Sequence, residues 1–264
     1  AATLTDGVTL TVGTNRANAI SLSSVSGTAG STASNLTINT TGAVTVSGAV
    51  GTDIGTITIT NSGGTTFSST VDASTVTLSN TTGAITFNGA VTAATLNTAA
   101  QAYNLALNAS SGTITNAVTF SNTGTLALGA SGGTLAFTGG VVATAPSAVS
   151  VNGTVTAAGT GVITLGDSGT GLTIGGTSTI GGTSTGAITL GAATLADGAT
   201  LTVGTGIANA ISLSSVTGTA SGTASNLTIY TTGAVTIGGL IGSQTLSYSN
   251  AVANDVNVVT ANKY

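Results

Sequence analysis

The chain has 264 residues, of which only 3% are charged and 3% aromatic, and it contains no His, Cys, Met or Trp. Its net charge is −4, with two cationic residues in total, so it offers no basic patch for nucleic acid or an anionic membrane. No apolar run approaches the length of a membrane-spanning helix, and the absence of His and Cys argues against a nucleophilic triad.

The chain opens with a block that returns later. Residues 1–51 align with residues 192–242 without a gap, and 39 of the 51 positions are identical. Tandem arrays consist of units that cannot bury their apolar face alone. We therefore interpret residues 1–242 as a repeat region that holds one long period and the start of a second, as in a mature or excised segment of a larger array.

Short segments in which aliphatic and polar residues alternate recur along the whole chain. Such alternation, with Val, Ile and Thr prominent, predicts β-strands, and no window has helical spacing. The inward pairs are predicted to be Leu10/Val12, Ile20/Leu22, Leu36/Ile38, Val44/Val46, Ile57/Ile59, Val76/Leu78, Ile85/Phe87, Leu105/Leu107, Val118/Phe120, Leu126/Leu128, Leu135/Phe137, Val149/Val151, Ile163/Leu165, Leu172/Ile174, Ile188/Leu190 and their equivalents in the repeated block.

Gly, Asn, Ser and Asp separate these segments and predict turns, as in Asp6-Gly7 and Asp197-Gly198. A shorter internal repeat favours stacked coils over a β-sandwich: NTTGAVTVSGAV at residues 39–50 recurs as NTTGAITFNGAV at residues 80–91. The 41-residue shift corresponds to two coils of about 20 residues, each with two strands and two corners. The predicted fold is an all-β parallel β-helix, or β-solenoid; a coil of three strands and about 30 residues is the alternative.

Residues 243–264 depart from the repeat and bring together Tyr248, Asp255, Lys263 and Tyr264. Terminal repeats need an atypical outer face to protect an exposed strand edge. This segment is therefore predicted to be a C-terminal cap or terminal coil, with a strand offered to a neighbouring subunit as the alternative.

The blocks NTTGAITFNGAV, GTITNAVTFSNTGTLALG and TLADGATLTVGTG resemble the repeats of filamentous-haemagglutinin-like exoproteins and of autotransporter passenger regions. This resemblance implies a right-handed β-helix, secretion to the bacterial cell surface, and a role in adhesion, biofilm or extracellular fibres. The resembling families' secretion signals and translocator domains are not in this sequence.

The six Asp residues do not suggest an active site. Asp6, Asp53, Asp72, Asp167, Asp197 and Asp255 are widely spaced, and the one Arg, Arg16, is replaced by Ile207 in the second copy. Asp167 lies in LGDSGTGLTIGG, which lacks the repeated Gly-Gly-x-Gly-x-Asp pattern of a calcium-binding β-roll. The sequence therefore predicts no catalytic, metal or cofactor-binding residues, and no enzyme.

Outward threonines raise the possibility of a different function. Several β-solenoids bind ice through ranks of Thr, but the Thr-x-Thr segments here are irregularly spaced along the sequence. Tyr103, Tyr230, Tyr248 and Tyr264 are interpreted as corner or cap packing, and Phe67, Phe87, Phe120 and Phe137 as an internal stack. The Thr-x-Thr segments are Thr9/Thr11, Thr56/Thr58/Thr60, Thr75/Thr77, Thr113/Thr115, Thr154/Thr156, Thr177/Thr179 and Thr200/Thr202.

Together these features predict a non-enzymatic, extracellular stalk or fibre segment of a large bacterial surface adhesin. Its expected partners are neighbouring repeats or further copies, with host-cell, surface or polysaccharide ligands as candidates, and neither nucleic acid nor membrane insertion is expected. The alternatives are a self-assembling filament subunit that stacks end to end and an ice-binding protein.

Overall fold

A computed structural model describes residues 1–219, 222–242, 245–249 and 256–257. These residues form thirty strands, numbered β1 to β30 along the chain, and all registered strand pairs are parallel. The chain winds into a β-solenoid of about 10 turns with about 23 residues per turn. At about 4.8 Å per rung, the described part is a rod about 50 Å long.

Each turn crosses three faces, which we name the first, second and third face. The first face contains β1 (Ala2–Leu4), β4 (Val25–Gly27), β7 (Val50–Gly51), the first halves of β10 (Val71–Leu78) and β12 (Val91–Thr98), β14 (Ser111–Ile114), β17 (Thr134–Phe137), β20 (Thr154–Ala157), β23 (Ser178–Gly182), β25 (Thr200–Val203), β27 (Asn226–Tyr230) and β29 (Thr245–Ser249).

The second face contains β2 (Thr9–Val12), β5 (Ser34–Asn39), β8 (Ile54–Asn61), the second halves of β10 and β12, β15 (Val118–Thr119), β18 (Val141–Ala143), β21 (Ile163–Leu165), the first halves of β24 (Ile188–Leu195) and β26 (Ile211–Gly218), β28 (Val235–Ile237) and β30 (Val256–Asn257). The third face contains β3 (Ile20–Leu22), β6 (Val44–Val46), β9 (Thr65–Phe67), β11 (Ala84–Phe87), β13 (Asn104–Leu107), β16 (Thr125–Leu128), β19 (Ala148–Val151), β22 (Gly171–Ile174) and the second halves of β24 and β26.

The predicted solenoid is confirmed, but its turn differs from the predicted coil. Each turn has three strand segments rather than two, and its length varies with the corners. Val71 pairs with Val91, 20 residues on, whereas Val203 pairs with Ile229, 26 residues on. The difference arises because β10 crosses a corner without interruption, while the later turns contain loops there.

The predicted inward pairs form the core, except that Leu10, Val12, Ile20 and Leu22 of the first turn are only partly buried. In β6, for example, Val44 and Val46 are buried while Thr45 between them is exposed. The phenylalanines are internal as predicted, but they form two separate pairs. Phe67 and Phe87 stack with ring centroids 4.8 Å apart, and Phe120 and Phe137 meet edge to face at 5.9 Å.

The C-terminal prediction is largely untested by these residues. Strands β29 and β30 pair with β27 and β28, so they continue the first and second faces. The rest of the predicted cap, including Asp255, Lys263 and Tyr264, lies outside the described residues, and the cap stays a prediction.

Candidate functional site

The corners of the solenoid are held by buried polar side chains. The Oγ1 of Thr40 shares its proton between the carbonyl oxygens of Arg16 (2.6 Å) and Asn18 (3.0 Å), in the corner one turn below. The same oxygen accepts the backbone N–H of Gly42 at 3.1 Å. One hydroxyl therefore joins two successive turns and also bonds within its own corner. It supplies the hydrogen bonds that buried backbone carbonyls need.

The same arrangement recurs at two later corners, where Thr231 and Ser184 also stand two residues before a glycine whose N–H they accept. Thr231 contacts the carbonyls of Ile207 (2.8 Å) and Asn209 (2.7 Å), and Ser184 those of Gly159 (3.3 Å) and Gly161 (2.6 Å). Sequence analysis did not identify these residues, although the two-residue spacing was available as a signal. The corners that share the spacing are Thr40/Gly42, Ser62/Gly64, Thr81/Gly83, Asn122/Gly124, Ser184/Gly186 and Thr231/Gly233.

The corner glycines are required because stacked corners approach closely. A Cβ at Gly42 would collide with the carbonyl oxygen of Asn18, and a Cβ at Gly233 with that of Asn209. In both cases the obstacle is backbone of the turn below, which a side-chain rotation cannot relieve. Glycine here allows the approach of two backbones.

The two copies of the 51-residue block occupy different faces. Eight registered steps along the first face lead from Ala2 through Val25, Val50, Val71, Val91, Gly112, Leu135 and Val155 to Ile180. Ala193, the counterpart of Ala2, lies two faces further on, in the third-face half of β24. The long repeat therefore spans eight and two-thirds turns, and the second copy is rotated by two faces relative to the first.

The rotated copy keeps its local hydrogen bonds. Thr28 Oγ1 donates to the Leu4 carbonyl at 2.9 Å, and its counterpart Thr219 donates to the Leu195 carbonyl at 2.8 Å. Likewise, Ser225 Oγ donates to the Ala196 carbonyl at 2.8 Å, as Ser34 does to Thr5 at 2.9 Å. The corner geometry is thus encoded by local sequence and is independent of the face.

The base of the first turn, formed by the lower edges of β1, β2 and β3 and their corners, is the exposed end of this stack. Leu10, Val12, Ile20 and Leu22 pack against the core but are only partly buried there. Val8 beside them is 42% exposed. This surface is the largest departure from the predicted burial of the inward pairs.

A second notable surface lies on the second face of the first five turns. Sequence analysis described the Thr-x-Thr segments as irregular, but the parallel register aligns some of them into two ranks, which we name the threonine grid. Its outward positions are Thr9, Asn35, Thr56, Thr75 and Thr95 in one rank, and Thr11, Thr37, Thr58, Thr77 and Asn97 in the other. Later segments lie on the first face, where Thr154, Thr179 and Thr202 form a single rank.

Asp6 and Asp167, whose hydrogen bonds are described, both stabilise loops between strands. Asp6 accepts the Thr32 N–H at 2.9 Å and the Ser31 hydroxyl at 3.2 Å, so it holds the loop of the next turn. Asp167 accepts the N–H groups of Gly169 (2.7 Å) and Thr170 (2.8 Å), as its interpretation as a turn residue predicts.

No metal-like cluster of three or more acidic, His or Cys side chains occurs within the described residues. A shallow groove of about 280 Å³ lies on the first face between Ser24, Thr52, Thr70 and Asp72. It forms because Gly51 occupies the outward position between Ser26 and Asp72. Asp72 is the one ionisable side chain that lines it, and a single carboxylate provides no acid–base pair.

Tyr103 is a structural side chain at the corner between the second and third faces. It is fully buried, and its hydroxyl donates to the Leu78 carbonyl at 3.2 Å. Burial raises its pKa to about 12, because desolvation disfavours the phenolate. Tyr103 thus packs a corner as predicted; Tyr230 does so with its ring over Gly206, while the side chains of Tyr248 and Tyr264 lie outside the described residues.

Comparison with protein-family models, with curated proteins and with solved structures finds no match to this chain. Within the described ranges, no helix is long and apolar enough to cross a membrane.

Proposed function

We propose that this chain is a stiff spacer: a β-solenoid segment of a large extracellular surface protein of the adhesin type. The observation that carries the proposal is the rotation of the repeated block. Because the second copy is rotated by two faces, equivalent side chains of the two copies lie on different sides of the rod. What the block keeps is the set of hydrogen bonds that stack one turn on the next.

Three further features support a spacer. Registered parallel pairs link successive turns on all three faces of the described residues, with one break on the second face between β12 and β15, so the backbone is cross-linked along the rod axis. The surface is rich in Thr, Ser and Asn and nearly free of charge, which leaves few sites for trypsin-like proteases. The resemblance to filamentous-haemagglutinin-like and autotransporter repeats supports the extracellular location and the link to adhesion.

Imaging chains with one, two and three long repeats tests the spacer role. Eight and two-thirds turns at about 4.8 Å each predict that every added repeat lengthens the rod by about 40 Å, with no change in width. Linear growth of a straight contour supports the proposal. Bent or collapsed particles, or rods whose length does not follow repeat number, would contradict it. Labelling of intact cells that display the protein tests its location.

The threonine grid favours ice binding as a second candidate function. Eight of its ten aligned positions are Thr, which present hydroxyl and methyl groups at the regular spacing of the parallel ladder, and the other two are Asn35 and Asn97. Thermal hysteresis and ice-crystal shape measure this activity. Under this candidate, Thr58→Tyr should abolish ice shaping, whereas Thr66→Tyr on the third face should leave it intact. Unmodified ice crystals with the native chain would rule it out.

A further inference from the structure

The base of the first turn has a direct counterpart inside the same chain. Residues 1–22 correspond to residues 192–213, and the latter rest on a complete turn, residues 167–191. Leu201 and Val203 are 0% exposed there, and Ile211 and Leu213 are each 1% exposed. The turn that fits beneath this sequence is therefore visible in the molecule.

The contacts between residues 167–191 and the turn above them are specific. Ile188 and Leu190 stack under Ile211 and Leu213, and Ser178 pairs with Leu201. The Ile188/Ile211 and Leu190/Leu213 pairs continue the core, because inward positions of successive turns lie above one another.

Four hydrogen bonds from three donor groups complete the junction. The N–H groups of Ala196 and Gly204 donate to the carbonyls of Ile174 (2.9 Å) and Ile180 (2.8 Å). Asn209 Nδ2 donates to the carbonyls of Ser184 and Gly186, both at 2.7 Å. The side chain of Asn209 is 2% exposed, so these bonds are made out of contact with water.

At the base of the first turn the equivalent donors have no such partners. They are the N–H groups of Thr5 and Gly13 and the side-chain amide of Asn18. No hydrogen bond from these three donors occurs in this part of the structure. One further solenoid turn below the first would therefore both cover the partly buried apolar side chains and accept the hydrogen bonds of these three donors.

We propose that the base of the first turn is an interface for a further solenoid turn with the sequence character of residues 167–191, contributed by another long repeat. A second copy of this chain cannot supply that turn from within its own stack, since its residues 167–191 are already covered by residues 192–213. The inference concerns assembly, and it does not depend on the spacer role.

The test adds a copy of residues 167–191 directly before Ala1 of the full chain, which restores the sequence continuity found before Ala192. Amide hydrogen exchange at Thr5 and Gly13 should slow at least about tenfold, toward the rates of Ala196 and Gly204 in the same molecule. Unchanged exchange at Thr5 and Gly13 would overturn the proposal.

Two matched controls separate specific stacking from a general effect of added chain. The first carries Ile188→Asp and Leu190→Asp in the added copy only, and the second lacks the glycine that joins the added copy to Ala1. A one-residue slip sends inward side chains outward, so neither control should protect Thr5 or Gly13. Equal protection by all three extensions would contradict the inference.

A second measurement is independent of how well the extension folds in the controls. In the native chain, exchange at Thr5 and Gly13 should not depend on protein concentration. Slowing with concentration, together with dimers in sedimentation, would show that a second copy covers the base and would overturn the proposed occupant.

Discussion

The two copies of the 51-residue block show closely similar sequences, identical at 39 positions, in two environments. In the second copy, Ala199 is 3% exposed and Leu201 is fully buried; in the first copy, Val8 is 42% exposed and Leu10 is only partly buried. Both copies keep the corner hydrogen bonds that Thr40 and Thr231 make to the carbonyls of the turn below, whereas only Asn209, and not its counterpart Asn18, bonds to a preceding turn. The corners are therefore a local property of the sequence, whereas burial of the core positions depends on the neighbouring turn.

The largest difference between the copies is expected at the corner glycines. Gly233→Ala should destabilise the fold by about 3 kcal/mol, because its Cβ meets the Asn209 carbonyl, which Asn209 itself anchors to the turn below. Gly42→Ala should cost about 1 kcal/mol, because the turn that carries the Asn18 carbonyl is hydrogen-bonded to the turn above it only, and we expect it to yield more easily. Denaturant unfolding with hydrogen exchange measures both. Gly171→Ala, whose Cβ meets no atom within 4 Å, is the control.

Truncation of a core leucine should give the next largest difference. Leu213→Ala should cost about 2 to 5 kcal/mol, the range for a buried leucine. Leu22→Ala, at the equivalent position of the first copy, should cost about 1 kcal/mol, because Leu22 is partly exposed already. Equal losses in the two variants would mean that the base of the first turn is covered in solution.

Asn209 and Asn18 provide a polar version of the same comparison. Asn209→Ala should cost about 2 kcal/mol, because it leaves the carbonyls of Ser184 and Gly186 buried without their donor. Asn18→Ala should change stability by less than about 0.5 kcal/mol. Thermal unfolding of the two variants side by side measures the difference. After the addition of a copy of residues 167–191 before Ala1, Asn18→Ala should become as costly as Asn209→Ala.

The smallest expected effect is a coupling between two positions that differ between the copies. Tyr230 places its ring over Gly206, where a Cβ would lie 2.6 Å from Cζ of the ring. The first copy has Asn15 and Asn39 at these positions. Gly206→Asn alone should destabilise, and Gly206→Asn with Tyr230→Asn should recover about 1 kcal/mol of that loss. Additive effects in a double-mutant cycle would show that the two differences are unrelated.

Much of the fold could be predicted from the sequence. Alternation such as Val44-Thr45-Val46 identified inward and outward positions, and self-similarity identified the stacking. The length of a turn could not be predicted. It depends on whether a strand such as β10 runs through a corner or stops at a loop, and small differences accumulate over eight turns. The face occupied by the second copy was therefore beyond sequence reasoning.

The candidate surfaces were predicted less well for a related reason. Thr40 and Thr58 are both threonines in polar segments, yet Thr40 is buried and bonds the corner below while Thr58 belongs to the threonine grid. Composition does not distinguish them. Register does, because it decides which residues of distant segments become neighbours. An open strand edge at the end of the stack was expected, but the partial exposure of Leu10 and Leu22 was not, because their alternating pattern is the same as that of the buried pairs.

The two-face rotation has a consequence for a longer array. Each successive long repeat would aim its distinctive residues 120° away from those of the repeat before, and three repeats together make 26 whole turns, after which the original orientation returns. Such a rod has no preferred side. A residue that occurs once in each long repeat would therefore lie at three orientations around the axis, 120° apart. Rods on any side could then contact it.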